Sequence, residues 1–119
     1  MPVVTVQSQR PLDMGRIDRL LVAIPEALGA ALSCATGEVW VYWTAVDACV
    51  NADERRAFEG HCPLVTIRAR AWRPDEHVRA GLVATAEATA AALGVPAEDV
   101  WVHWVELPPG RVFAGGAVR

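Results

Sequence analysis

No basic run or stripe occurs in this 119-residue chain, whose formal charge is −3. Nucleic-acid backbones are held by clustered cationic side chains, so nucleic acid is not an expected partner. No stretch approaches the ~20 apolar residues that span a bilayer, and no membrane partner is expected. The N-terminus lacks a charged region leading into an apolar one, so no signal peptide is expected and the cytoplasm is the expected compartment. Cysteine is sparse. Cys34, Cys49 and Cys62 are odd in number, which fits reduced thiols. There is no C-x-x-C pair, and Cys49, His61 and Cys62 lack an apparent fourth ligand, so no metal is expected. No glycine loop of the nucleotide-binding kind joins a strand to a helix; Gly115-Gly116 supplies conformational freedom in a turn-rich tail.

What is present is a globular balance, with 53% apolar and 21% charged residues. The length suits one domain with a real core. That domain contains a duplication. Shifted by 61 residues the chain matches itself, with 15 identical positions across residues 2–43 and no gap. Pro2-Val3-Val4-Thr5-Val6 falls on Pro63-Leu64-Val65-Thr66-Ile67, and Val39-Trp40-Val41-Tyr42-Trp43 falls on Val100-Trp101-Val102-His103-Trp104. The tryptophan match is the more telling, because alanine matches arise cheaply.

Each half reads strand, long helix, strand. Asp13 is a plausible cap for a first helix whose apolar residues Ile17, Leu20, Leu21, Ile24, Leu28, Ala31 and Leu32 recur at helical spacing. Pro25 predicts a kink or a break in it. The second helix is expected to start near Arg73-Pro74-Asp75-Glu76, where proline and acids suit a first turn, and to stop at Gly94-Val95-Pro96. A strand, helix and strand in succession make the two strands parallel. The expected fold class is therefore α/β (α+β by some schemes): tandem β-α-β units forming a four-stranded sheet with two helices on one face. The units are expected at 2–50 and 63–107 of a single domain spanning 1–119, with a polar linker at 51–62 and a tail at 108–119. The Trp-rich strands are bulky on both faces, which predicts that both faces are covered. Helices cover one. No second layer is left in the chain for the other, so oligomerisation is the economical expectation.

One residue stands out chemically. Methionine aminopeptidase normally removes Met1 before a residue as small as proline, so the mature chain is expected to start at Pro2 with a secondary amine. An α-amino group titrates near ~7.7–8.0, and nearby arginines or burial favour its neutral form. A neutral amine on a strand end is a ready general base. Pro63, its repeat equivalent, has an amide nitrogen and cannot act so. Arg70 and Arg73 likewise occur once, since their equivalents are Gln9 and Leu12. One amine and one arginine pair per chain is what one active site per chain requires. An arginine pair can hold a carboxylate and stabilise an enolate-like charge. By themselves, two arginines at a helix start are more simply read as exposed surface residues. His103 fits an acid or hydrogen-bond donor, and also a packed ring in a Trp-rich strand.

These features together resemble the tautomerase superfamily, over nearly the whole chain: a starting proline, duplicated β-α-β units, a strand ending Trp104-Val105-Glu106 and the tail Gly110-Arg111-Val112-Phe113-Ala114-Gly115-Gly116. Among two-unit members the chain looks most similar to the cis-3-chloroacrylic acid dehalogenase and malonate semialdehyde decarboxylase-like group, through Arg70-Ala71-Trp72-Arg73 at the strand–helix junction and through Ser8-Gln9 and Trp101-Val102. The resemblance implies a homotrimer without cofactor. It also implies that Pro2 acts as base and that Arg70 and Arg73 bind a small carboxylate substrate; His103, read from its own chemistry, is the candidate to assist. The implied activity is an isomerase moving a proton within a 2-oxo acid or its enol. Decarboxylation, hydration or dehalogenation of a three-carbon acid is the alternative on the same fold, and a non-catalytic ferredoxin-like binding module is the alternative outside enzymes. The dehalogenase pattern has tyrosine where His103 stands, glutamate where Ala114 stands and a helix histidine where Leu28 stands. The water-activating groups are thus missing, which argues against hydrolytic dehalogenation.

Overall fold

The computed structural model describes residues 1–48, 50–51, 56–57 and 63–119. Cys49, His61, Cys62 and much of the expected linker lie outside the described residues. Strand β1 (Val3–Ser8) leads to helix α1 (Gly15–Leu32) and strand β2 (Trp40–Ala45). Strands β3 (Val50–Asn51) and β4 (Arg56–Ala57) pair antiparallel between the halves, so the expected linker contains a short ladder. Strand β5 (Leu64–Arg70), helix α2 (Asp75–Leu93) and strand β6 (Trp101–Leu107) repeat the first order. Strands β7 (Phe113–Ala114) and β8 (Ala117–Val118) close a hairpin whose loop, Gly115-Gly116, has positive φ at both residues, as a type I′ turn requires.

The four long strands form one sheet in the order β2-β1-β5-β6. The pairs β1–β2 and β5–β6 are parallel, and β1 runs antiparallel to β5 at the seam between the halves. This is the expected architecture. Strand alternation sends Val4 and Val6 of β1 and Val65 and Ile67 of β5 to one face, where all four are fully buried. There they meet Ile17, Leu20, Ile24, Leu28 and Leu32 of α1 and Ala90, Ala92 and Leu93 of α2 in one core. Leu21, expected in the apolar stripe, is instead 38% exposed.

The helix ends follow from local chemistry. The Asp13 carboxylate accepts the Gly15 N–H at 2.9 Å and pairs with Arg19. Its pKa is lowered, chiefly by that backbone hydrogen bond. Pro74 stands at the N-cap of α2. Helix α1 runs unbroken through Pro25, so of the expected kink or break the break does not occur. Proline removes one helical N–H, but Leu20, Ile24 and Leu28 around it are sealed in the core and hold the turns together. At the C-termini, Arg16 donates to the Leu93 carbonyl of α2 at 2.7 Å and Arg73 donates to the Leu32 carbonyl of α1 at 3.4 Å. Leu32 and Leu93 are repeat equivalents, so each helix end is tied by an arginine from the start of the other half. A cation there satisfies an orphan carbonyl and meets the negative end of the helix dipole.

The other face of the sheet is covered by no element of the described chain. Trp40, Tyr42, Leu64, Trp101 and Val105 lie on it between 36% and 67% exposed.

Candidate functional site

The seam between β1 and β5 positions the proline. Val3 stands opposite Arg68, so continuing the register back sets Pro2 opposite Ala69 and Met1 opposite Arg70. Pro2 is fully buried, and its carbonyl accepts the Trp40 N–H at 3.0 Å. Pro63 makes the same bond to Trp101 at the other end of the sheet. Because β5 descends as β1 ascends, the end of β5 and the start of α2 arrive beside Pro2. Arg70 is the last residue of β5 and Arg73 follows three residues on. Pro2, Arg70 and Arg73 thus share one end of the sheet.

The two arginines differ. The Arg70 guanidinium faces the Trp72 ring, 6.0 Å from its centroid. The Arg73 guanidinium spends one donor on the Leu32 carbonyl. A guanidinium carries five N–H donors, so the remainder can meet a carboxylate. Arg73 is therefore also a helix-capping residue, a role its spacing from Arg70 did not reveal.

His103 lies elsewhere. It sits mid-strand on the uncovered face, opposite Thr66, which stands opposite Thr5, which stands opposite Tyr42. These four make a polar row across the whole sheet, and Arg68 adds a hydrogen bond to Thr5 Oγ1 at 3.1 Å. The residue of β6 level with Pro2 is Glu106, opposite Ala69, so His103 is three residues or about 10 Å along the strand from that level. His103 Nδ1 is buried with no hydrogen-bond partner among the described residues. Within one chain His103 does not join Pro2 and the arginines.

The halves also diverge beneath the site. Trp43 Nε1 donates to Ser8 Oγ at 2.9 Å. Their repeat equivalents are Trp104 and Ala69. With no hydroxyl at 69, the Trp104 indole N–H is buried and unpartnered among the described residues. The wall next to Pro2 is accordingly apolar. Sequence reasoning took the tryptophans as structural but missed this exchange, although pairing position 8 with 69 and 43 with 104 exposes it.

The helices-on-one-sheet duplication is the tautomerase fold. The chain is similar to Pt0534 inactivated by 2-oxo-3-pentynoate, with TM-score 0.88, 17% identity and coverage of 98% of this chain and 94% of that one. It is similar to the F6 fused 4-OT, a wild-type asymmetric trimer, with TM-score 0.88, 18% identity and coverage of 98% and 94%. It is also similar to N1, a member of the cis-3-chloroacrylic acid dehalogenase family, with TM-score 0.79, 24% identity and coverage of 98% and 82%. No family model matches the chain, and no curated protein does. Among the described residues no helix is long and apolar enough to cross a membrane, and no three metal-ligating side chains cluster.

Proposed function

We propose that the chain is a tautomerase in which Pro2, freed of Met1, moves a proton within a small 2-oxo acid and its enol. The observation that carries this is the seam register, which sets Pro2 at the same end of the sheet as Arg70 and Arg73. The neutral Pro2 nitrogen takes a proton from the enol oxygen or from the carbon next to the carbonyl and returns it to the other atom. Removal of Met1 is what turns this nitrogen from an amide into a basic amine. Arg70 takes the substrate carboxylate and Arg73 supports it with the donors its Leu32 bond leaves free. Both cations also stabilise charge on the oxygen as the enolate forms. No cofactor is called for, because the amine supplies the base and the arginines supply the electrostatics.

The working form is a homotrimer. Five large apolar side chains on the uncovered face support it, since each such side chain gains about 1.5–3 kcal/mol when fully removed from water. The trimeric fused 4-OT neighbour supports the number three. In that assembly His103 belongs to the covered face, and it can serve a proline site only across a subunit boundary. Dehalogenation lacks support: Leu28 is sealed in the core and Ala114 carries no carboxylate.

The test is ketonisation of phenylenolpyruvate and 2-hydroxymuconate, followed by ultraviolet absorbance, on protein shown by intact mass to lack Met1. Retention of Met1, which makes the Pro2 nitrogen an amide, and Arg70→Ala are each expected to lower kcat/KM by at least 100-fold, roughly the contribution of one general base or one charge-stabilising donor. The chain contains no lysine, so the proline amine is its only amine. Incubation with 2-oxo-3-pentynoate, the inactivator of the Pt0534 neighbour, should add one mass unit of reagent to the N-terminal peptide. Turnover that survives covalent capping of the Pro2 nitrogen sinks the reading, and light scattering that gives a monomer sinks the trimer.

A further inference from the structure

The turn from β5 into α2 contains a costly piece of backbone. Trp72 has φ +79°, in the left-handed region. That region crowds any Cβ, and for a bulky side chain it is a true outlier. The other described residues with positive φ are Ser33 and four glycines, so Trp72 is the one large side chain among them. Burial does not offset the strain, because the indole is 66% exposed. The Arg70 contact does not offset it either, since 6.0 Å is the outer limit of a useful cation–π distance. What the left-handed step achieves is position: the chain reverses between Arg70 and Arg73 and the indole stands beside the Arg70 guanidinium. At the equivalent place in the first half is Pro11, whose ring keeps φ negative, and there Gln9 and Leu12 replace the arginines. The strained aromatic occurs only in the half that carries the arginine pair.

We propose that Trp72 is a specificity-determining residue of the Pro2 site, forming an aromatic wall beside the carboxylate clamp that favours extended, conjugated 2-oxo acids and their enols over short ones. This rests on the proline–arginine reading above. An enol acid conjugated to an aryl or diene group is flat. With its carboxylate on Arg70, it can lay that flat extension against the indole. A three-carbon acid reaches the arginine but leaves the indole uncovered. Strain retained where the fold draws no packing from it is the pattern found at ligand clamps, and an exposed indole offers a large apolar face for a planar ligand.

The experiment compares kcat/KM for phenylenolpyruvate with that for enolpyruvate in wild type, Trp72→Phe, Trp72→Ala and Trp72→Gly, with the oligomer mass checked for each. The preference for the larger substrate should fall roughly tenfold in the Ala and Gly variants and survive in Phe, because stacking is what is removed. Calorimetric binding of phenylpyruvate and pyruvate to the same variants gives that ratio without turnover. An unchanged ratio overturns the proposal. So does an equal loss of both ligands, or a loss that tracks a changed oligomer mass, which would make Trp72 an interface residue. Covalent capping of the Pro2 nitrogen, run alongside, separates the two levels: if it abolishes turnover while the Trp72 ratio stays fixed, the proline site stands and the aromatic wall falls.

Discussion

Helices α1 and α2 occupy equivalent places in the two halves and pack on each other, but they present different surfaces. Along its core side α1 has Ile17, Leu20, Ile24 and Leu28. At the equivalent positions α2 has Val78, Gly81, Thr85 and Thr89. Large side chains on one helix meet small ones on the other. A Cβ on Gly81 would lie 3.1 Å from Leu28 Cδ1 and 3.3 Å from Trp104 Cζ3, so the glycine is what lets α1 and β6 approach. Two copies of α1 would overfill this space and two copies of α2 would leave it hollow, since cores tolerate neither excess nor missing volume. A duplicated chain thus gains one core by making its halves complementary rather than alike. The same divergence put Arg70 and Arg73 where the first half has Gln9 and Leu12.

The largest test of that complementarity is at position 28 and its equivalent. Leu28→Ala should lower the unfolding free energy by about 2–5 kcal/mol, the cost of deleting a fully buried leucine. Thr89→Ala should cost only about 1 kcal/mol, because it removes little volume and one hydrogen bond, from Thr89 Oγ1 to the Thr85 carbonyl at 2.7 Å. Urea unfolding of both variants measures the pair. Equal losses would mean that the two helices share the core evenly, contrary to the packing.

A smaller effect should appear where Ser8 supports Trp43 and Ala69 fails to support Trp104. Ser8→Ala leaves the Trp43 indole N–H without its acceptor and should cost about 1–2 kcal/mol. Ala69→Ser offers Trp104 the partner its equivalent has and should gain about 0.5–1.5 kcal/mol in the same unfolding assay. The second change also puts a hydroxyl beside Pro2, the base proposed above. A gain in stability with a loss of turnover would show that the unpartnered indole is the cost of an apolar site wall.

Much of this was legible before any coordinates. Self-matching at one shift reveals the repeat, and the repeat carries the parallel pairing within each half, the helix limits and the asymmetry of Pro2, Arg70 and Arg73; the antiparallel seam between the halves was not read. Local rules succeed at Asp13 and Pro74, where the residues that start a helix act within two or three positions. At Pro25 they overstate, since the break does not occur: the core around it outweighs one lost helical bond. They fail at Arg16, whose acceptor is 77 residues away, since no pattern along the chain reports such a contact. Arg73 is half legible: its charge and place were read, its bond to Leu32 was not. Trp72 was invisible as a strained residue, because left-handed backbone is ordinarily flagged by glycine or asparagine. His103 was read by chemical type, but type carries no information on which face of the sheet, or which end, a residue occupies.

The finest test is at the helix C-caps. Ser33 and Gly94 are repeat equivalents, and both are left-handed, at φ +53° and +70°. The backbone therefore asks for the same conformation twice, and only the second half supplies the residue that adopts it without crowding. Ser33→Gly should stabilise by roughly 0.5–1 kcal/mol, the strain of a Cβ in that region less the entropy that glycine loses on folding. Gly94→Ser should cost more than this gain. It brings the same strain, and a Cβ there would lie 3.1 Å from Arg16 Nη1, pressing on the arginine that caps Leu93. Thermal unfolding of the two single variants and the exchanged double would decide the matter. If the double matches wild type, the caps are interchangeable and the Arg16 contact contributes nothing. If it stays below wild type, the deficit measures what the second half has built around its glycine.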